Sequence, residues 1–147
     1  MAIWQFQCNI IPKRNNYDEL SRDEIISWRG VQYKAYKIDF LDYKKSWSKN
    51  ITQYGNIDGT CIELFFFNGE VDEINCRLDL RSLTKHKLTQ IVEYVENIQA
   101  VFFIENNIYP PDFNIIVEVI KKSDANRFCR KPVEYLKSIN TKNDSLC

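Results

Sequence analysis

The segment "GEVDE" places Glu70, Asp72 and Glu73 within four residues, a density of carboxylates that could hold a hard cation or share a proton in acid–base work. A calcium loop, however, needs more oxygen ligands at defined offsets than this stretch supplies. The cluster also adjoins "NG", a turn dipeptide, and a solvated hairpin tip is the ordinary place for such acids. The one histidine, His86, stands between two lysines. Spacing brings no nucleophile or carboxylate to it, so it reads as solvent-facing rather than as a general base. No GxSxG nucleophile elbow occurs, and the four glycines, Gly30, Gly55, Gly59 and Gly69, make neither a phosphate-cradling loop nor a dinucleotide fingerprint. Five cysteines (Cys8, Cys61, Cys76, Cys129 and Cys147) include no CxxC pair, so a zinc ribbon or disulfide framework is not indicated and most read as small apolar filler. The residues thus nominate no catalytic group, no cofactor site and no metal site.

The elements that would position such residues are legible in most of the chain. Trp4, Phe6, Cys8 and Ile10 alternate with Gln5, Gln7 and Asn9 until Pro12, the pattern of a half-buried strand. Ser21 with Glu24 three residues on is a reciprocal capping pair, predicting a short helix from about Arg22 that stops near Gly30. Two alternating runs joined around Asn68 and Gly69 predict a β-hairpin, with Ile62, Leu64 and Phe66 on the core side of one and Ile74, Cys76, Leu78 and Leu80 on that of the other. A helix begun near Ser82 or Thr84 presents Leu88, Ile91, Val92, Val95 and Ile98 as one apolar stripe. "AVFFIEN" has strand length, and Pro110, Pro111 and Asp112 open the helix "DFNIIVEVIKK". In "SDANRFCRKPVEYLKSI", Ser123 caps a one-turn helix through Ala125 to Cys129, and Pro132 begins a last helix whose Val133, Leu136 and Ile139 point inward. Phe128 and Leu136 belong to that core. Residues 31–56 show no clear period.

With 147 residues, 44% hydrophobic, and no Pro/Gly/Ser linker or repeat, the chain reads as one α+β domain over residues 1–147. Its sheet is antiparallel or mixed, includes a central hairpin, and carries helices mainly on one face. No run of about 18 apolar residues and no basic, apolar leader appears, so the expectation is a cytoplasmic protein without a membrane span.

The strand face turned away from the helices would display Gln5, Gln7, Asn9, Glu63, Phe65, Phe67, Arg77, Asp79 and Arg81. Aromatics among arginines have the composition of a protein-binding centre. The competing reading covers this face with residues 31–56 or the C-terminal helices. Formal charge is zero but segregated: +3 over residues 1–54, −7 over 55–120 and +4 over 121–147. The acidic middle, with Asp58, Glu63, Glu70, Asp72 and Glu73, is therefore a candidate surface for a basic partner, with Phe65 and Phe67 as apolar anchors. Aromatics and lysines interleave from Tyr33 to Tyr54, including Trp47, as in single-strand nucleic-acid binders. Zero net charge argues against that partner, and a mixture of core and surface explains the pattern better.

"CRLDLR" at residues 76–81 and "SDANRFCRKPVEYLKSI" at 123–139, with the opening "WQFQCNIIPK", resemble a group of small bacterial proteins that include immunity proteins of polymorphic or contact-dependent toxin systems. The resemblance spans that opening and residues 60–139. It implies an α+β cytoplasmic protein that neutralises one cognate toxin, such as a nuclease, by binding it, and it carries over no catalytic residues. The alternatives are a small enzyme or ligand-binding domain with a pocket under residues 31–56, and an adaptor for another protein.

Overall fold

The N-terminal alternation forms β1 (Gln5–Pro12) in the computed structural model, which describes residues 4–128. Five further strands of the sheet pair with it directly or through neighbours: β3 (Ile51–Gly55), β4 (Cys61–Phe67), β5 (Glu70–Asp79), β6 (Ala100–Ile104) and β7 (Asn107–Tyr109). A two-residue strand, β2 (Tyr43–Lys44), completes the edge, giving the order β2-β3-β4-β5-β1-β6-β7 with every pairing antiparallel. The predicted α+β class, the antiparallel sheet and its hairpin are all present. Strands β2, β3 and β7 were not expected. The first two lie in the segment without a clear period, and β7 hides in the polar stretch after "AVFFIEN".

The hairpin turn has φ of 51° at Asn68 and 79° at Gly69, the left-handed pair that an NG turn accommodates at low cost. Helix α1 (Arg22–Ile26) carries the predicted capping box at Ser21 and Glu24, but ends four residues before Gly30. Helix α2 (Lys85–Asn97) starts from Thr84, whose side chain accepts from the Lys87 amide, and buries Leu88, Ile91, Val92, Tyr94 and Val95. Helix α3 (Phe113–Lys121) is capped by Asp112 and buries Ile116, Val117 and Ile120. Helix α4 (Asp124–Phe128) is the expected one-turn helix. The helix predicted from Pro132, with Val133, Leu136 and Ile139, lies outside the described residues, as do Cys129 and Cys147.

The main core joins Phe6, Cys8 and Ile10 of β1, Ile62 and Leu64 of β4, and Ile74, Cys76 and Leu78 of β5 to the apolar stripes of α2 and α3. Residues 31–41 pack on this same helical side. Tyr33 and Tyr94 share a hydrogen bond between their hydroxyls at 2.7 Å, and the Phe40 and Tyr94 rings meet edge-on at 6.4 Å. Burial pushes the Tyr94 hydroxyl well above the ordinary tyrosine range, so the pair stays neutral. Residues 13–27 cover the opposite face over β1 and β6, where Tyr17, Ile25 and Ile26 pack on Ile11, Val101 and Phe103, and they reach the bulged end of β5 across a cleft. That leaves the β3–β4–β5 part of this second face without a helix over it. Cys8, Cys61 and Cys76 are free and buried, and burial, with the nearby Glu63 charge, pushes the Cys61 thiol up to about 12.

Candidate functional site

The acidic end of the hairpin is shaped by one irregularity. Phe65 faces Glu73 and Phe66 faces Val71, so Asp72 is left over as a β-bulge on β5. Freed from the ladder, the Asp72 carbonyl accepts the Trp28 backbone N–H at 2.8 Å, and its carboxylate accepts Arg29 Nε at 2.7 Å. The Arg29 guanidinium then lies 4.4 Å from the centre of the Phe67 ring, a cation–π stack on a side chain that is 53% exposed. Trp28 itself is buried, donating its indole N–H to the Ile10 carbonyl at 2.9 Å. The chain thus passes from α1 on one face of the sheet to residues 31–41 on the other, turning at the bulge.

Between α1 and β5 opens a cleft of about 620 Å³ lined by Arg14, Leu20, Asp23, Glu24, Ile26, Ser27, Arg29, Asp72 and Glu73. Four carboxylates there meet two guanidiniums, so the cleft is net acidic. Burial raises the Glu73 carboxyl above its ordinary range and the Asp72 charge adds to the effect, while Arg22 and a hydrogen bond from Asn75 act in the opposite direction. The Ser21 backbone N–H and hydroxyl hold Glu24 below its ordinary range. Such a cleft offers acceptors to a cation, above all a basic side chain of a partner.

The predicted partner-binding residues divide into three groups. Phe65, Phe67, Glu70, Asp72 and Glu73 gather at the bulged end, with Phe67 and Glu70 exposed and the other three partly so. Glu63 and Arg77 form a second group. Contrary to the expectation of a displayed side chain, Glu63 is only 4% exposed, with Arg77 at 21%, and their charged atoms stand 3.7 Å apart. Glu63 Oε1 and Arg77 Nε have no hydrogen-bond partner among the described residues. Asp58 and Asp79 lie at the far end of the sheet. Asp58 is exposed, but Asp79 is buried, each of its carboxylate oxygens accepting from Arg81 at 3.0 and 3.1 Å. Gln5, also expected on the open face, is buried because its amide donates to the Ile57 and Gly59 carbonyls at 2.9 and 2.8 Å. The β3–β4 connection, residues 56–60, folds over this part of the face, and the sequence pattern did not reveal that cover.

A second cleft, of about 510 Å³, runs beside residues 40–44 and the start of α2, lined among others by Asp42, Lys44, Thr60, Asp79, Thr84 and Lys87. Its buried carboxylate is the Asp79 already engaged by Arg81. His86 is exposed on α2. Among the described residues, no cluster of three or more His, Cys, Asp or Glu has metal-holding geometry, and no helix is long and apolar enough to cross a membrane.

Sequence reasoning missed Arg29, which joins Asp72 to Phe67. One signal was present: Val71 and Ile74 are both core residues three apart, where an unbroken strand would space them by two. No family model matches the chain, and no similar curated protein or solved structure was found.

Proposed function

We propose that this chain is a binding protein of the immunity type, which neutralises a cognate bacterial toxin in the cytoplasm by covering its working surface and performs no catalysis itself. The observation that supports this reading best is the bulged end of the hairpin. There, an exposed Phe67 is held under Arg29 beside the acidic cleft that contains Asp72 and Glu73. Buried aromatic anchors hold most of the energy in protein interfaces, and acids around them steer a basic partner and fix its register. A nuclease toxin fits this chemistry, because a cleft that attracts phosphate is positive, and carboxylates placed in it both occlude the site and speed encounter. The candidate contact set is accordingly Phe65, Phe67, Glu70, Asp72 and Glu73; Glu63 and Asp79 are too buried to contribute directly.

The second cleft, near Lys44 and Lys87, favours a ligand-binding or enzymatic reading through its polar lining. The engagement of Asp79 by Arg81 weakens that reading, since the carboxylate is already committed. Association kinetics with the purified product of the neighbouring gene separate the two. Reversing charge at Glu70, Asp72 and Glu73 together should slow association about tenfold or more at low salt and flatten its salt dependence. Unchanged association and intact protection would remove the acidic end from the interface.

A further inference from the structure

We infer that Trp47 and Phe67 form one two-anchor docking surface for a protein partner whose contact face has an apolar recess set between basic and acidic side chains. This inference rests on the binding role proposed above and names the chemistry of its partner. Residues 45–50 connect β2 to β3, and residues 68–69 connect β4 to β5. The two connections lie at the same end of the sheet, because Ile51 stands opposite Phe65 and the Phe66 amide donates to the Asn50 carbonyl at 2.8 Å. Trp47 is 80% exposed and Phe67 is 53% exposed. Large apolar side chains held in water on adjacent turns are the usual raw material of an interface centre.

Both turns are braced. The Ser46 hydroxyl donates to the carbonyl of Ile51 at 2.7 Å and also contacts that of Ser48, while the Ser48 amide donates back to it at 3.1 Å. Phe67 is braced through Arg29 and Asp72. A turn backbone fixed before binding loses less freedom on association, which raises the share of contact energy that appears as affinity.

Charge selects the occupant. Lys45 and Lys49 flank Trp47, exposed and without an ion pair to any described carboxylate, whereas Phe67 lies beside exposed Glu70 and half-buried Glu73, with the Asp72 carboxylate there already paired to the Arg29 that stacks on its ring. Single-stranded nucleic acid stacks on aromatics beside lysines, but carboxylates at the same end repel its phosphates. A folded protein with both signs of charge around a recess meets all these features together.

The test is surface plasmon resonance with the purified product of the gene beside this one, using Trp47→Ala, Phe67→Ala, Lys49→Glu and, as a remote control on α3, Ile115→Ala. Thermal midpoints of Trp47→Ala, Lys49→Glu and Ile115→Ala should stay close to the wild-type value, and that of Phe67→Ala, which loses its stack under Arg29, should fall by only a few degrees. Each anchor variant should weaken binding by about thirty-fold, the effect of truncating a hot-spot residue, with Lys49→Glu weaker and Ile115→Ala unchanged. Absence of binding by the wild-type chain overturns the proposed function and this inference together. Wild-type binding that Phe67→Ala weakens and Trp47→Ala leaves intact overturns the two-anchor surface alone. Tight binding of a fluorescein-labelled oligothymidylate, lost in Trp47→Ala, overturns it in favour of a nucleic-acid partner.

Discussion

Removing Arg77 should damage the fold far more than its place on a half-open sheet face implies. Its charged atoms stand 3.7 Å from Glu63, whose side chain is 4% exposed. At an effective dielectric of about 20 that separation corresponds to an attraction of roughly 4.5 kcal/mol. Arg77 keeps 21% of its exposure, and the 3.7 Å contact is too long for a hydrogen bond, so solvent screening lowers the working figure to about 3 kcal/mol. Arg77→Met deletes the cation and strands the buried Glu63 carboxylate without a counter-charge, which should cost about 3–5 kcal/mol. Glu63→Gln leaves Arg77 able to turn partly to water and should cost about 1–2 kcal/mol. The combined variant leaves no buried charge, and the change should fall short of the sum of the two by about 3 kcal/mol. Urea titrations with unchanged slopes measure all three. A loss under about 1 kcal/mol for Arg77→Met, or strict additivity in the combined variant, would refute the reasoning, since either result means the pair is solvated.

Glu73→Gln probes the acidic cleft by pH. Because burial raises the folded carboxyl of Glu73, its stabilising contribution is present when it is protonated and is lost as pH rises through the raised value. Glu73→Gln should therefore melt above wild type at neutral pH, with the advantage disappearing on acidification below the ordinary glutamate range; a constant or reversed difference across a pH series of melts contradicts the burial. Gly55 and Gly30 both have positive φ, at 86° and 77°, but a Cβ at Gly55 would meet the Thr60 carbonyl at 2.1 Å while one at Gly30 meets nothing within 4 Å. Gly30→Ala should thus cost about 1 kcal/mol from backbone strain alone, and Gly55→Ala more than about 3 kcal/mol, read from denaturant midpoints.

What the sequence conveyed about the fold follows from how regular each element's environment is. Helices α2 and α3 each have one wet face and one dry face, and the helical side of β1, of β4 and of β5 beyond the bulge takes apolar residues at every second position, so a period can be read directly. Residues 31–41 contribute Tyr33, Ile38, Phe40 and Leu41 to the helical side from irregular backbone, and side chains delivered one at a time leave no period. They also resolve the aromatic and lysine mixture around them: Tyr33 and Phe40 pack on the core, while Tyr36, Tyr43 and Trp47 stay in water. Asp79 and Gln5 occupy outward positions of clean alternations, and the return of residues 56–60 over the sheet covers them, while Glu63 is buried beside Arg77. A long-range cover of this kind has no local signature.

The acidic end shows the opposite case, a candidate site whose residues the sequence named without their geometry. Alternation alone would set Asp72 on the side opposite Glu73, facing the helical core, where an ionised carboxylate is costly. The bulge removes that conflict. By absorbing one extra residue it lets Val71 and Ile74 both reach the core and leaves Asp72 to hold Trp28 and Arg29. The same slip keeps Phe67 and Glu70 paired beyond it, at the tip of the hairpin. One inserted residue therefore sets three things at once: where the chain crosses from one face of the sheet to the other, where Arg29 sits, and how Phe67 is stacked. Because these are consequences of register, substitutions on the surface of this end alter its charge and apolar area without having to alter its shape. In the interface proposed above, the bulge would fix the frame while Phe67, Glu70 and Glu73 carry the chemistry.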